Sequence, residues 1–304
     1  MRLHYLIYTL LSFFILLPST SICQENDINI LIFSKINGFR HGSIDAGIEM
    51  INEFGENLNW TVDTTENGSD FNEDNLSQYD VVIWLNTSGN NLLTDAQQDA
   101  FRTFIQNSNG FIGVHAATDT YRDQSWPWYN ELVGAIVQTN PNHTSNNFNA
   151  TMSVINQHPI VEHLGDSWNK NEEYYYWGES NGGYLFEDNI NLLEVEQTGN
   201  QSYDVARPVT WYKEYDGGRS FYTALGHNSS DYSNNDQFRT MMFEAIIWAA
   251  NKETLSTDTF ESNGSKLSVY PNPTSDLLSI SPDIFTKGPQ FTASIYDILS
   301  LIHI

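Results

Sequence analysis

The chain has 304 residues, of which 40% are hydrophobic, 13% aromatic and only 17% charged. Such a composition buries a large core and excludes disorder along most of its length. Thirteen basic against 38 acidic side chains leave a formal net charge of −25, and a surface this acidic repels phosphate backbones, which excludes nucleic acid and anionic lipid as partners.

At the start of the chain, Arg2 precedes an apolar run from Leu6 to Leu17, followed by Pro18 and the small residues Ser19, Thr20 and Ser21. This pattern predicts a signal peptide over residues 1–23. The run is too short to persist as a bilayer span, so no stable membrane insertion is expected after cleavage. Cys23 is the only cysteine; a mature chain therefore has neither a disulfide nor a thiolate nucleophile.

From residue 26 to 251, apolar strand-like runs alternate with amphipathic segments, the pattern of an α/β domain with a mainly parallel sheet. Ile28 to Phe33 predicts a buried strand, and Ser43 a cap for a helix carrying Ile44, Ile48 and Ile51 on one face. Trp60 to Thr65 and Val81 to Leu85 predict two more strands, the latter buried on both faces. Thr94 to Gln97 reads as a capping box ahead of Ala100, Phe101, Phe104 and Ile105, and Phe111 to Val114 as a fourth strand. The stretch from about Ala135 to Arg207 is less regular, with strand candidates at Ala150 to Ile155 and Leu192 to Val195 among aromatic and polar insertions over the functional edge of the sheet. Pro208 to Tyr212 and Arg219 to Thr223 read as strands joined by a Gly217-Gly218 turn. A last helix is marked by Phe238, Met241, Met242, Ala245, Ile246 and Ala249 at helical spacing. Residues 252–265 are polar and read as a linker, and residues 266–304 as a short β module.

In a parallel α/β sheet, ligands bind where strands end and helices begin. Three histidines fall at such places: His41 after the first strand, His115 after Phe111 to Val114, and His227 after Arg219 to Thr223. Gly113, Ala116 and Ala117 around His115 permit a sharp turn that lifts its side chain above the sheet, as in a nucleophile elbow. Imidazole serves as acid, base or metal ligand near neutral pH. Asp119 and the Glu172-Glu173 pair are the acidic candidates. Adjacent carboxylates on an extended segment face opposite ways, so one of the pair is expected in a site. Trp126 to Tyr129 and Tyr174 to Trp177 offer aromatic faces for the C–H faces of a sugar, or else pack loops onto the core. No H-E-x-x-H, Walker or dinucleotide glycine motif is present; His143, His158 and His163 are scattered candidates for a metal site.

Asn37-Gly38-Phe39-Arg40-His41, Gly113 to Asp119, His158-Pro159, Glu172 to Tyr175, Gly218-Arg219, Leu225-Gly226-His227 and Ile247-Trp248-Ala249, taken in this order, resemble the ThuA-like (trehalose utilisation) family. The resemblance spans about Asn26 to Asn251. It implies the class I glutamine amidotransferase-like fold, a flavodoxin-type α/β sandwich, and a link to sugar metabolism. It also implies that His115 stands at the elbow where amidotransferases of that fold place a cysteine, so thioester glutaminase chemistry is excluded. The family usually shows Asp-Glu where this chain has Glu172-Glu173, and the functional role passes to Glu173 and Tyr175. Val269-Tyr270-Pro271-Asn272-Pro273-Thr274 and Ser294 to Asp297 resemble a C-terminal sorting domain of type IX secretion, found in Bacteroidetes-type bacteria. That resemblance implies a secreted or cell-surface protein, handled by the type IX machinery, whose sorting domain is truncated at Ile304.

The resulting expectation is a secreted carbohydrate-processing enzyme working by acid/base chemistry, whether hydrolysis, elimination or isomerisation, on a sugar or ketosugar. His115 and His41 are the acid/base pair, Glu173 and Asp119 assist, and His227 completes the wall; Arg40, Tyr175 and Trp126 bind the sugar. No cofactor is required by this reading. Two alternatives stay open: a divalent metal held by two or three of the histidines, and a noncatalytic sugar-binding module.

Overall fold

The computed structural model describes residues 27–251 and four short strands beyond them. The elements run β1 (Asn29–Phe33), α1 (Ile44–Leu58), β2 (Thr61–Thr65), α2 (Glu73–Leu76), β3 (Val81–Leu85), α3 (Asp95–Gln106), β4 (Gly110–Val114), α4 (Pro127–Val133), β5 (Ala135–Ile136), β6 (Phe148–Val154), α5 (Pro159–Glu162) and β7 (Ser167–Glu172). They continue with β8 (Tyr184–Leu185), β9 (Ile190–Val195), β10 (Arg207–Tyr215), β11 (Gly218–Thr223), α6 (Ser229–Asn234) and α7 (Asp236–Ala249).

Nine strands form one sheet in the order β2-β1-β3-β4-β11-β10-β9-β6-β7. Every residue of β3 and β4 is buried, as their unbroken apolar runs require of central strands covered on both faces. The expected α/β architecture with a large sheet is present, and the sheet is mixed in direction. Pairing is parallel from β2 across to β11 and antiparallel from β11 out to β7. The change of direction begins at a two-residue hairpin. Tyr215 pairs with Gly218, so the turn is Asp216-Gly217 rather than Gly217-Gly218, with both residues at positive φ (47° and 96°), the conformation that fits a tight hairpin. Strands joined by short connections return antiparallel because only a helix-length crossover brings a chain back parallel.

The last helix buries the six residues named from its sequence: Phe238, Met241, Met242, Ala245, Ile246 and Ala249. It approaches β4 so closely that a Cβ on Gly110 would stand 2.4 Å from the Ala249 carbonyl oxygen. At α3, Gln97 accepts from the Thr94 N–H at 2.9 Å, the return half of the capping box. Ser43 does not cap α1 with its side chain; its hydroxyl donates to the Gly226 carbonyl at 3.1 Å, tying the loop after β1 to the loop after β11. The buried stripe of α1 is Ile44, Gly47, Met50, Ile51 and Gly55, with Ile48 at its margin.

Among the described residues no helix is long and apolar enough to cross a membrane. The segments read as signal peptide (1–23) and linker (252–265) lie outside the described residues. In the tail, Leu267–Tyr270 pairs with Ser279–Pro282 and Ile295–Tyr296 with Leu301–Ile302, in two separate sheets, so the described residues do not join into one β module.

Candidate active site

The parallel half of the sheet sets its carboxyl ends side by side, and the loops leaving β1, β4 and β11 meet there. His115 follows β4 directly, at φ 47°. This left-handed conformation costs a residue with a Cβ of order 1 kcal/mol or more and turns the imidazole back over the strand ends. The position is held from several sides: the Tyr222 hydroxyl donates to the His115 carbonyl at 2.8 Å, and His115 Nδ1 lies 2.7 Å from the Ala224 carbonyl oxygen. A carbonyl only accepts, so Nδ1 carries the proton and Nε2 faces inward.

His115 Nε2 is 3.2 Å from Glu173 Oε2, 3.2 Å from the Tyr175 hydroxyl and 3.4 Å from His227 Nδ1. His227 Nδ1 is itself 3.3 Å from Glu173 Oε2. The His41 ring stands edge-on to both, with centroids 4.7 Å from His115 and 5.5 Å from His227. One ligand atom each from His41, His115, Glu173 and His227 fits within 4.8 Å of all the others.

Glu172 and Glu173 face opposite ways at the end of β7. Glu173 enters the cluster, while the wholly buried Glu172 turns beneath it. Glu172 accepts from the backbone N–H groups of Gly226 (2.9 Å), His227 (3.2 Å) and Glu173 (2.9 Å) and pairs with Lys170 Nζ at 2.6 Å. Lys170 also reaches Asp231 Oδ1 at 2.8 Å. A buried three-charge network thus holds the His227 loop from below.

The electrostatics suit cation binding. Burial, reinforced by His115 and His227, lowers His41 to about 3, so its imidazole is neutral at physiological pH. Burial opposes ionisation of Glu173, yet hydrogen bonds from His115 and His227 hold its carboxyl far below the usual range. The bond to Glu173 raises His227, and burial drives the Tyr175 phenol well up, keeping it protonated. His41 Nδ1 is buried with no hydrogen-bond partner.

Three expected residues are not brought into this group. Arg40 points to solvent, 2.6 Å from Glu66 and 3.7 Å from Asp45, because its neighbours Phe39 and His41 take the other side of the chain. Trp126 is buried, packed on Tyr121, Trp128 and Tyr129 with centroids 5.2–5.5 Å away, so it offers a sugar no free face. Asp119 pairs with Arg122 at 2.6 Å, and burial raises its carboxyl; it lies beside the cluster rather than in it. His143, grouped in the sequence with two other scattered histidines, does arrive. Its Nδ1 is 2.6 Å from the Thr144 carbonyl and 3.2 Å from Glu173 Oε1, on a segment bridged to Tyr175. His158 instead caps α5 and packs on Tyr212, and His163 bonds the Gln237 carbonyl. An open hollow of about 330 Å³ lined by Ser108, Asp216 and Arg219 lies at the opposite, amino ends of β4 and β11 and contains none of these groups.

The family model described as trehalose utilisation (ThuA) matches residues 29–249. Among solved structures, a ThuA-like protein from Bacteroides uniformis is 20% identical with a TM-score of 0.57, covering 73% of this chain and 91% of its own. One from Parabacteroides merdae is 18% identical with a TM-score of 0.57, covering 75% and 92%. A cytoplasmic protein of Salmonella typhimurium is 10% identical with a TM-score of 0.53, covering 73% and 99%. At these identities the likeness shows the fold. No curated protein matches the chain.

Proposed function

The chain belongs to the trehalose utilisation (ThuA) family, and from that membership and the cluster above its strand ends we propose that it is a carbohydrate-processing enzyme with a divalent-cation site. The carrying observation is the set of four inward ligand atoms, three imidazole nitrogens and one carboxylate oxygen, within 4.8 Å of one another. Nitrogen-rich ligands with one carboxylate suit zinc and its first-row neighbours. The residues also fit in protonation: His41 is neutral, Glu173 is ionised, and the Ala224 carbonyl fixes the His115 tautomer, the outer support a metal-ligating histidine usually has.

A bound cation would polarise a hydroxyl or carbonyl oxygen of the sugar. The protein's own groups supply the rest. The protonated Tyr175 hydroxyl, 3.2 Å from His115 Nε2, can donate to an oxygen entering the cluster. His143, against the outer oxygen of Glu173 and partly open to solvent, is placed to take up or release the proton that acid/base chemistry on a C–O or C–H bond requires. The absence of a mature thiol keeps the reaction apart from glutaminase chemistry. The proposal includes export, supported by the sequence of residues 1–23 and by the Tyr270 to Thr274 sorting-type motif.

The test is metal analysis of the purified full chain together with a turnover screen of disaccharides and their 3-keto forms. The expected result is one cation per chain, activity lost on chelation and restored by re-addition, and both lost in His115→Ala and Glu173→Ala. Protein that holds no cation and does not respond to chelator overturns the cation site; a catalytically silent protein that binds sugar is a binding module.

A further inference from the structure

We infer that Phe39 is the stacking platform of the site, placed to cover the apolar C–H face of a pyranose ring whose polar atoms reach the His/Glu cluster. The inference rests on the proposed carbohydrate function and names the part of the substrate recognised at the rim. Among the described residues, Phe39 is the most exposed large hydrophobic side chain, at 68%. Its ring is not remote from the chemistry: the centroid is 5.0 Å from that of His41, at 83°, and His41 in turn abuts His115 and His227. Phe39 is thus the solvent end of a chain of rings leading into the cluster.

The exposure is built in, because the loop holding the ring is pinned from both sides. Asn37 N–H donates to the Ser88 carbonyl at 2.9 Å and its side-chain amide to the Asn90 carbonyl at 2.8 Å. The Ser88 hydroxyl donates to the Phe39 carbonyl at 2.7 Å. The two strand-end loops touch through glycines: a Cβ on Gly38 would stand 2.9 Å from Ser88 Oγ, and one on Gly89, at φ 87°, would stand 2.6 Å from the Asn37 carbonyl carbon. Neighbouring Arg40 is drawn the other way by Glu66 and Asp45, leaving the ring face free of a charged cover. A fixed aromatic ring in water gains free energy when an apolar surface covers it, roughly 25 cal/mol per Å². A pyranose offers such a surface on its C–H face while its hydroxyls remain available to the neighbouring cluster.

The test is calorimetric titration of trehalose, cellobiose and methyl α-glucoside into the zinc-loaded full chain, wild type against Phe39→Ala and Phe39→Trp. Zinc content and thermal midpoint are measured on each protein. Phe39→Ala should weaken sugar binding about tenfold, equivalent to ~1.4 kcal/mol, with zinc content unchanged. Phe39→Trp should retain affinity and shift its indole emission on saturation. A sugar bound equally tightly by wild type and Phe39→Ala overturns the platform while leaving the carbohydrate function intact. A wild-type protein that holds zinc yet binds none of the three sugars overturns the carbohydrate reading itself, and the platform with it.

Discussion

Replacing Glu172 by glutamine changes almost no volume but inverts half of the hydrogen bonding beneath the His227 loop. The carboxylate accepts four donors: Lys170 Nζ and the N–H groups of Gly226, His227 and Glu173. A glutamine keeps one acceptor oxygen, which can serve the His227 and Glu173 amides, but turns an NH₂ toward Lys170 and the Gly226 N–H. Removing one partner of a buried ion pair costs about 3–5 kcal/mol. Lys170 retains Asp231 at 2.8 Å, so the lower end, ~3 kcal/mol, is expected for Glu172→Gln in urea unfolding of the cation-free protein. The loop should suffer as well as the fold. With Gly226 released, His227 loses its aim, and a lost outer support of a metal ligand typically costs about 10–100-fold in affinity. Asp231→Asn is the control, since it disturbs the same charge network without touching the Gly226 and His227 amides and should cost stability with a smaller loss of zinc affinity. Competition titration with a chromophoric chelator reads that affinity. If Glu172→Gln lowers stability but leaves zinc binding within about twofold of wild type, Glu172 supports the fold alone and the positioning argument fails.

Acidification should weaken the cation-free protein through His41. Its pKa of about 3 lies below the ordinary 6.5, so the stability that it contributes as a neutral group is complete above pH 6.5 and is lost as pH falls from there toward 3, at up to ~1.4 kcal/mol per pH unit. His227 is shifted upward and contributes fully below 6.5, while the depressed Glu173 begins to lose its contribution only below its ordinary 4.5; neither reverses the trend between those values. Urea midpoints should therefore fall from about pH 6.5 to about pH 5 in the wild type and flatten in His41→Asn; parallel profiles would show that His41 is not held neutral by the fold. Trp126→Ala should cost about 3–5 kcal/mol as a core truncation and leave sugar affinity unchanged in protein that remains folded, whereas a selective affinity loss at full stability would restore Trp126 to the site. Arg40→Ala, which breaks only exposed ion pairs, should change stability by at most ~1 kcal/mol, and a larger drop in the thermal midpoint would contradict the exposed geometry.

The centre of the parallel half was legible because β3 and β4 are buried on both faces and so are written as unbroken apolar runs: Val81 to Leu85 matches β3 residue for residue, and Gly110 begins β4 one position before the predicted Phe111. The place of His115 followed from that reading, since the residue next to such a run sits at a strand end. Arg40 and Trp126 show where sequence neighbours mislead. Arg40 adjoins His41 in sequence yet leans on Glu66 beyond the next strand, and whether an aromatic side chain stacks on a ligand or on other aromatics depends on partners distant in the chain.

The most instructive omission is β7. Its residues Ser-Trp-Asn-Lys-Asn-Glu alternate exposed and buried without fault, but the inward positions are Trp168, Lys170 and Glu172, so two of the three buried side chains carry charge. Hydrophobic periodicity sees no strand there, because the interior it faces is not apolar; it is the ionic floor made with Asp231. A chain that buries a lysine and two acids gives up the transfer free energy that apolar residues would have supplied. That sacrifice is intelligible only if the charges have another use, and here Glu172 grips the peptide of His227 while its neighbour Glu173 enters the cluster. Glu172, one of the two charged residues that hide the strand from sequence reading, therefore also helps to build the site, as expected where local rules yield to function.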